Sequence, residues 1–290
     1  MINRKIWIAG SSGNIGRILE ETLSNNCDKI FSTDLELDVT NTEEVTRFAV
    51  INRPDVIINC ACISDIEECE KDRVKAYKVN SLGARNLSSA SRQIGATMVQ
   101  LSTDDVFAGN EERALNEFDK TEPVSVYGKS KLAGEVFAKE LTPKHIIIRS
   151  TWIYGYGEGD FVSEVINAAK EKRTIEAAVN QISSPTSVYA LSEFINKVIR
   201  SDEYGIFHAA CTGMCSRFDY AKRILELSGL STDVLKPVLY NKESENMDSM
   251  RPRYTALENL MMEMTGIYEM PDWETALERH MLERSGLIGK

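Results

Sequence analysis

The stretch Lys5-Ile-Trp-Ile-Ala-Gly-Ser-Ser-Gly-Asn-Ile-Gly16 decides the fold of this 290-residue chain. Its first five residues form an apolar run that is typical of a strand buried on both faces. A helical pattern then begins among three glycines. Gly10 permits a tight turn, Gly13 lets backbone N–H groups approach a pyrophosphate, and Gly16 lets a helix pack closely on a sheet. The stretch therefore predicts the first strand, turn and helix of a dinucleotide-binding sheet.

The alternation of strand and helix continues through the first half of the chain. Strands are predicted at Lys5–Ala9, Lys29–Thr33, Val56–Cys60, Thr97–Ser102 and His145–Arg149. Helices are predicted at Gly13–Ser24, Glu43–Asn52, Val74–Ile94 and Val126–Leu141. Because crossovers between parallel strands are right-handed, this order predicts a doubly wound parallel α/β sheet, the Rossmann architecture. Its ligand crevice should lie beyond the carboxyl ends of the strands.

The rhythm loosens after about residue 150. Further helices are predicted at Phe161–Glu171, Val188–Ser201, Phe218–Ser228 and Trp273–Glu283, and short strands at Thr174–Ala177, Gly205–Ala209 and Val234–Leu239. No tract rich in Pro, Gly or Ser separates the two halves. We therefore predict a dinucleotide-binding domain over residues 1–150 and a smaller α/β substrate lobe over residues 151–290, interwoven with the first.

Composition and charge exclude several classes of protein. The chain is 42% hydrophobic and 27% charged, as in ordinary globular proteins, and carries a net charge of −10. No basic run is present that could bind nucleic acid or an anionic membrane. The apolar run Ile6–Ala9 is shorter than the roughly 7 to 15 residues of a secretory signal, and no run reaches the roughly 18 to 20 that span a bilayer. We therefore expect a soluble, cytoplasmic protein.

The cysteines show no metal-binding or redox pattern. Six are scattered without CxxC spacing or a partnering His cluster: Cys27, Cys60, Cys62, Cys69, Cys211 and Cys215. We expect reduced thiols and no metal site. The sequence leaves the oligomeric state open, with a homodimer as one alternative.

A second motif combines groups suited to carbonyl chemistry. Tyr127-Gly-Lys-Ser-Lys131 lies in a predicted helix, so Tyr127 and Lys131 share one face. A phenol protonates a carbonyl poorly unless a nearby cation stabilises its anion, and Lys131 can supply that charge and lower the pKa of Tyr127. Thr103 ends the fourth predicted strand at the crevice edge, where its hydroxyl can hold a carbonyl oxygen beside Tyr127.

Asp34 stands directly after the second predicted strand, 18 residues beyond Gly16. An acid there can accept the adenosine ribose hydroxyls of a dinucleotide and would repel a 2′-phosphate. No arginine adjoins it. We therefore expect NADH to be used at least as readily as NADPH, with a plain turn or cap residue as the alternative role of Asp34.

Together these motifs resemble those of the extended short-chain dehydrogenase/reductases. The resemblance rests on the glycine turn, on Thr103, Tyr127 and Lys131, and on Asn59–Ala61 and Val79–Leu87. Finer features are similar to the dTDP-4-dehydrorhamnose reductase (RmlD-type) family over nearly the full chain. They are Leu37–Thr40, Arg53–Asn59, Ser102–Phe107, Tyr127–Glu135, Arg149–Gly155, Pro185–Thr186 and Arg251–Pro252.

The resemblance implies hydride transfer from NADH or NADPH to the C4 ketone of a nucleotide-linked 4-keto-6-deoxy sugar, most specifically dTDP-4-dehydrorhamnose. It implies Thr103, Tyr127 and Lys131 as catalytic residues. The cofactor would be bound by Gly10, Ser12, Gly13, Asn14, Ile15, Gly16, Asp34, Asp38, Val39, Cys60, Ala61, Cys62, Asn80, Ser102, Tyr127 and Lys131. The substrate would be bound by Thr103, Asp104, Asp105, Tyr127, Trp152 and Arg251, with Trp152 against the sugar and Arg251 on the diphosphate.

The chain departs from the family pattern near the expected substrate. Asp105 stands where the family usually has Tyr, and Ile63-Ser64-Asp65 stands where it has an aromatic residue or His followed by Thr-Ala. We expect Asp65 and Asp105 to face the crevice, where buried carboxylates must find cations or favour a hydroxyl-rich or amino-bearing group. Solvated loop acids are the alternative.

Two other interpretations of function remain open. One is a sister reductase for a different 4-keto or amino-deoxy nucleotide sugar. The other is a non-catalytic regulatory subunit similar to that of methionine adenosyltransferase.

Overall fold

The computed structural model describes residues 3–24, 28–155, 157, 159–240 and 251–286. Its strands are β1 (Lys5–Ala9), β2 (Lys29–Thr33), β3 (Val56–Asn59), β4 (Thr97–Thr103), β5 (His145–Ser150), β6 (Ile153–Tyr154), β7 (Ile175–Ala178), β8 (Ile182–Ser183), β9 (Thr186–Ser187), β10 (Gly205–His208), β11 (Cys215–Ser216) and β12 (Leu235–Val238). Its α-helices are α1 (Asn14–Ser24), α2 (Thr42–Asn52), α3 (Ile66–Lys71), α4 (Arg73–Tyr77), α5 (Ala84–Ile94), α6 (Val126–Leu141), α7 (Phe161–Lys170), α8 (Val188–Val198), α9 (Arg217–Leu227), α10 (Leu260–Thr265) and α11 (Trp273–Arg284). A π-helical segment, Lys78–Gly83, joins α4 to α5.

Six parallel strands form the central sheet in the order β10-β5-β4-β3-β1-β2. β1 lies between β2 and β3, so the direction of strand addition reverses at β1. In such sheets the ligand crevice opens at this switch point, beyond the carboxyl ends of the strands. The predicted doubly wound parallel sheet is confirmed.

The side chains of β1 alternate between two cores. Ile6 and Ile8 pack into one core with Leu19 of α1 and Leu191 of α8. Trp7 and Ala9 pack on the other face of the sheet, in a core that also holds residues of α2 and α5. All four β1 side chains are fully buried, which explains why the strand is apolar at consecutive positions.

Residues beyond position 150 complete the main sheet and its core. β10 pairs with β5 in parallel, so that Phe207 lies beside Ile148. Phe207, together with Leu191 and Phe194 of α8, packs in the same core as Ile148 and as Ile6 and Ile8 of β1. The other strands of the second half form three two-stranded ladders, β7 with β12, β8 with β11 and β6 with β9.

The predicted elements of the first half end within one residue of the observed ones, when α4, the π-helical segment and α5 are taken as one helical run. The sequence analysis missed α3, which has only six residues. It also missed β6, β8, β9 and β11, because strands of two residues show no hydrophobic period.

The cysteines of the described chain are all free, and Cys27 lies outside the described residues. Burial raises the pKa of Cys60 and of Cys211 to about 12, which keeps both thiols protonated. In the part of the chain that the structure describes, no helix has both the length and the hydropathy to cross a bilayer.

Candidate active site

A cleft of about 490 Å³ opens where the carboxyl ends of β3 and β4 meet the glycine turn. The predicted site residues that line it are Gly13, Asn14, Ile15, Gly16, Cys60, Cys62, Ser102, Thr103, Asp104, Asp105, Tyr127, Lys131, Trp152 and Arg251. These residues come from distant parts of the chain, and the sheet brings them together in the crevice where the strand order predicts it.

Close backbone contacts shape the glycine turn. Gly10 has a φ of 81°, and a Cβ there would lie 2.5 Å from the backbone nitrogen of Ala61. A Cβ on Gly16 would lie 2.5 Å from the carbonyl oxygen of Gly10. The N–H groups at the start of α1 therefore border the cleft without intervening side-chain bulk, an arrangement that fits the diphosphate of a dinucleotide.

Two carboxylates lie at the carboxyl end of β2, beside the turn. The backbone N–H of Ser12 donates to Asp34 Oδ2 at 3.2 Å, and the backbone N–H of Asp34 donates to Glu36 Oε1 at 2.8 Å. Farther on, Asp38 accepts from the backbone N–H of Thr40 at 2.8 Å. Val39 is buried in the core with α2 and α5. Ser12, Asp34, Asp38 and Val39 are thus outside the cleft lining, on the β2 side of the sheet.

Asn80 lies outside the cleft and connects two of the segments that form it. Its side chain accepts from the Ile63 N–H at 2.8 Å and donates to the Ile63 carbonyl at 3.0 Å and to Ser130 Oγ at 2.9 Å. These bonds join the loop after β3 to α6. A Cβ on Gly134 would lie 2.6 Å from the Asn80 carbonyl oxygen, so α6 depends on glycine for this approach. Asn80 is buried and does not line the cleft.

The three predicted catalytic side chains meet in the cleft. The Ser125 hydroxyl caps α6 by accepting from the Gly128 N–H at 3.0 Å, and Tyr127 and Lys131 then lie on the cleft side of the helix. Lys131 Nζ donates to the Leu101 carbonyl at 2.7 Å. The side chains of Thr103 and Tyr127 interact, and this interaction lowers the pKa of the Tyr127 phenol.

Burial raises the pKa of Tyr127 well above its usual value, with further contributions from Cys62, Asp105 and Asp104, while the hydrogen bond to Thr103 lowers it. This differs from the expectation that Lys131 would hold the pKa of Tyr127 down. Desolvation and the neighbouring acidic groups outweigh the effect of the Thr103 hydroxyl, and the Lys131 ammonium is bonded to the Leu101 carbonyl. Tyr127 is therefore a neutral phenol, the form that can donate a proton.

Asp104 joins three parts of the chain at the carboxyl end of β4. Its Oδ2 accepts from Thr151 Oγ1 at 2.6 Å and from Thr255 Oγ1 at 2.5 Å, and its Oδ1 accepts from Thr103 Oγ1 at 3.1 Å. Burial raises the pKa of Asp104, whereas these three hydroxyls lower it. The carboxyl group thus ties the segment after β5 and the C-terminal segment to Thr103.

Asp105 and Asp65 have different environments. Asp105 is buried in the cleft wall, with Oδ2 3.8 Å from Arg251 Nη1. Burial and the neighbouring Asp104 raise the pKa of Asp105 to about 7, against the opposing charges of Arg251 and Arg217. Asp65 is exposed and caps α3 by accepting from the Glu68 N–H at 2.7 Å. The expectation that Asp65 faces the crevice is wrong, because its carboxylate serves as a helix cap.

The sequence analysis missed several cleft residues. They are Ser64, Leu101, Ser150, Thr151, Ile153, Phe161 and Arg217. The guanidinium carbon of Arg217 lies 3.6 Å from the centre of the Trp152 ring and 4.5 Å from that of Phe161. Arg217 follows a helix cap in an ordinary helical pattern, so no local signal distinguishes it.

No group of three or more His, Cys, Asp or Glu side chains within the described ranges is arranged to hold a metal ion. The glycine turn, with Tyr127 and Lys131 in the same cleft, fits a nicotinamide dinucleotide.

Comparisons with known proteins agree with the motifs. The model of the RmlD substrate binding domain family matches residues 4–285. The spore coat polysaccharide biosynthesis protein SpsK of Bacillus subtilis (strain 168) is 33% identical, over 97% of this chain and 98% of that protein. A dTDP-4-dehydrorhamnose reductase structure from Clostridium acetobutylicum is 36% identical with a TM-score of 0.93, covering 97% of this chain and 99% of that one.

A second solved structure, the dTDP-4-dehydrorhamnose reductase of Bacillus anthracis in complex with NADP, is 37% identical with a TM-score of 0.91. It covers 98% of this chain and 99% of that one. The family match extends over nearly the whole chain, and these relatives are aligned over nearly their full lengths. The chain therefore belongs to the RmlD family of short-chain dehydrogenase/reductases.

Proposed function

We propose that this protein reduces the C4 ketone of a dTDP-linked 4-keto-6-deoxy sugar with NADH or NADPH, converting dTDP-4-dehydrorhamnose to dTDP-L-rhamnose. The observation that carries the proposal is the meeting of Thr103, Tyr127 and Lys131 in one cleft with the glycine turn. Relatives named dTDP-4-dehydrorhamnose reductase, one of them in complex with NADP, support it.

The glycine turn would hold the dinucleotide. The backbone N–H groups of Gly13–Gly16 would bind its diphosphate, and Asp34 its adenosine ribose. Asp38 and Val39 would border the adenine, while Cys60, Ala61, Cys62 and Ser102 would border the nicotinamide half. When bound, the nicotinamide supplies the hydride.

The catalytic side chains would handle the proton and the carbonyl. Neutral Tyr127 would donate its proton to the ketone oxygen, which the Thr103 hydroxyl would orient. Lys131, held by the Leu101 carbonyl at 2.7 Å, would bind the nicotinamide ribose and stabilise the phenolate left after proton transfer.

The substrate would enter the cleft from the end opposite to the dinucleotide. Trp152 would pack against the sugar ring and Arg251 would bind the diphosphate, with Asp104 and Asp105 in the wall between them. Residues 1–150 would then contribute the cofactor site and catalytic pair, and residues 151–290 most of the substrate site.

Cofactor oxidation with a panel of 4-keto nucleotide sugars tests the proposal. The purified protein should oxidise NADH or NADPH with dTDP-4-dehydrorhamnose. Tyr127→Phe should lower kcat by about 10²- to 10⁴-fold while dinucleotide binding is retained. Tyr77→Phe, on the surface of α4, is the matched control and should behave like the wild type. Absence of oxidation with every sugar would refute the reductase assignment and leave a dinucleotide-binding regulatory protein.

A further inference from the structure

We propose that Arg217 is a specificity-determining residue that binds the phosphoryl group next to the sugar, so that Arg217 and Arg251 together form a paired site for the substrate diphosphate. This inference rests on the proposed function and extends it to a residue outside the motifs that resemble the family.

Two aromatic rings fix the Arg217 guanidinium. Arg217 is the first residue of α9, whose cap Ser216 accepts from the Asp219 N–H at 3.0 Å. The guanidinium carbon lies 3.6 Å from the centre of the Trp152 ring and 4.5 Å from that of Phe161. Stacking on aromatic faces restrains a planar guanidinium but leaves the N–H donors at its edge free.

The edge donors of Arg217 find no acceptor among the described residues, in which its side chain forms ring contacts but no hydrogen bond or ion pair. The nearby Asp104 is hydrogen-bonded elsewhere, since its oxygens accept from Thr103, Thr151 and Thr255. Asp105 is oriented toward Arg251, at 3.8 Å. A guanidinium in a cleft wall without an acceptor is costly unless a ligand supplies one.

Because a second guanidinium lines the cleft, the site should prefer a ligand with two negative charges. Arg251 lines the same cleft, and its 3.8 Å separation from Asp105 is too long for a hydrogen bond. Burial and the charge of Arg251 lower the pKa of Arg217 to about 10, so both groups remain cationic at neutral pH and repel each other. A diphosphate offsets that repulsion and accepts from both forks, which a neutral sugar hydroxyl cannot do.

The contact with Trp152 assigns the order along the substrate. In the proposed function Trp152 packs against the sugar, and Arg217 is stacked on Trp152. Arg217 therefore binds the phosphoryl group attached to the sugar, which is the β-phosphate of the dTDP unit. The phosphoryl group on the nucleoside side falls to Arg251.

Calorimetric titration with dTDP and with dTMP tests this assignment, because dTMP lacks the β-phosphate. Arg217→Gln should weaken dTDP binding by roughly ten- to a hundred-fold, the range for a hydrogen bond to a charged group. It should leave dTMP binding within about twofold of the wild type, so the ratio of the two affinities falls. In turnover, KM for the nucleotide sugar should rise with little change in kcat.

Arg217→Lys keeps the charge but loses the planar stack and should fall between the wild type and Arg217→Gln; it also serves if the glutamine variant does not fold. Arg113→Gln, which breaks an exposed ion pair with Asp119, is the matched control and should bind both nucleotides like the wild type. Unchanged dTDP binding in folded Arg217 variants, or equal loss of dTDP and dTMP affinity, would overturn the assignment.

If the protein is not a nucleotide-sugar reductase, the experiments give a different pattern from that expected if only the Arg217 assignment is wrong. In that case the wild type would oxidise no cofactor with any nucleotide sugar, whatever the Arg217 variants do to nucleotide binding. Loss of the dTDP-to-dTMP preference in Arg217→Gln would still support the paired phosphate site.

Discussion

At the scale of single residues, the site is governed by how each charge is desolvated and paired. Asp104 and Asp105 are adjacent in the chain, yet one is bonded to three hydroxyls and the other faces a guanidinium at 3.8 Å. Burial and the charge of Asp104 raise the pKa of Asp105 to about 7, so its charge changes near neutral pH.

The pKa of Asp105 predicts a pH-dependent KM. Below about 7 the carboxyl is neutral, and above it the carboxylate pairs with Arg251 and repels the substrate diphosphate. KM for the nucleotide sugar should therefore rise by about three- to tenfold as the pH increases through 7. Initial rates with NADH, which lacks a 2′-phosphate that would itself titrate, measure the effect. Asp105→Asn should flatten the profile; an equally steep profile in that variant would contradict the assignment.

The raised pKa of Asp105 also makes the stability of the fold depend on pH. Because the pKa of Asp105 in the folded protein is raised, folding favours its protonated form, and that stabilisation is lost as the pH rises through about 7. Ionising Asp105 thus weakens both the fold and the substrate site.

At the scale of secondary-structure elements, α6 carries a ladder of functional side chains on one face. Tyr127 and Lys131 line the cleft, and Glu135 follows one turn later. Glu135 accepts from Ser102 Oγ at 2.5 Å and from Arg149 Nη2 at 2.8 Å, with both members of the ion pair 4% exposed. This buried network clamps α6 to β4 and β5 directly behind the catalytic pair.

Removing one partner of that network should be strongly destabilising. Glu135→Gln leaves the Arg149 guanidinium buried beside a neutral amide and should cost about 3 to 5 kcal/mol in the free energy of unfolding. Urea denaturation measures this value. Glu67→Gln, which removes an exposed partner of Lys71, is the control and should leave stability essentially unchanged. A loss of under about 1 kcal/mol for Glu135→Gln would show that the clamp contributes little.

The end of β2 sets the expected choice of cofactor. Asp34 and Glu36 place two carboxylates where the adenosine ribose would lie. Their charge should repel a 2′-phosphate, so kcat/KM should be at least as high for NADH as for NADPH. Asp34→Asn should shift the ratio toward NADPH by about tenfold. A wild-type preference for NADPH would show that other residues outweigh these acids.

At the scale of the whole molecule, the two halves of the chain share one core. Ile6, Ile8 and Ile148 of the first half pack with Phe194 and Phe207 of the second. The C-terminal segment returns to the site through the bond from Thr255 to Asp104 and a bridge between Leu115 and Leu257. The two halves on either side of residue 150 therefore do not have separate cores.

A fragment of residues 1–150 should not fold stably. It would expose the apolar face that α8 and β10 cover, and would lose the edge strand beside β5. Circular dichroism should show no cooperative thermal transition, and the fragment should not bind NADH. The full chain is the control. A cooperatively melting fragment would show that the first half closes its own core.

The elements of the main sheet, and the cleft that holds Thr103, Tyr127 and Lys131, were predictable from local signals. Each of these signals involves residues that are close together in the chain. They are the apolar runs of β1, β3 and β4, the glycine turn, and the spacing of Tyr127 and Lys131. Buried parallel strands and amphipathic helices impose these periods directly on the sequence, and the order of the elements then places the crevice.

Only the tertiary structure decided which charges meet. Arg217 of α9 meets the rings of Trp152 and Phe161, which lie far from it in the chain. Asp65 is used by α3 as a cap, and β10 joins the main sheet. The raised pKa of Tyr127 likewise depends on burial among groups distant in the chain. Desolvation and pairing are properties of the assembled cleft, so hydrophobic period and motif spacing, which are local along the chain, do not encode them.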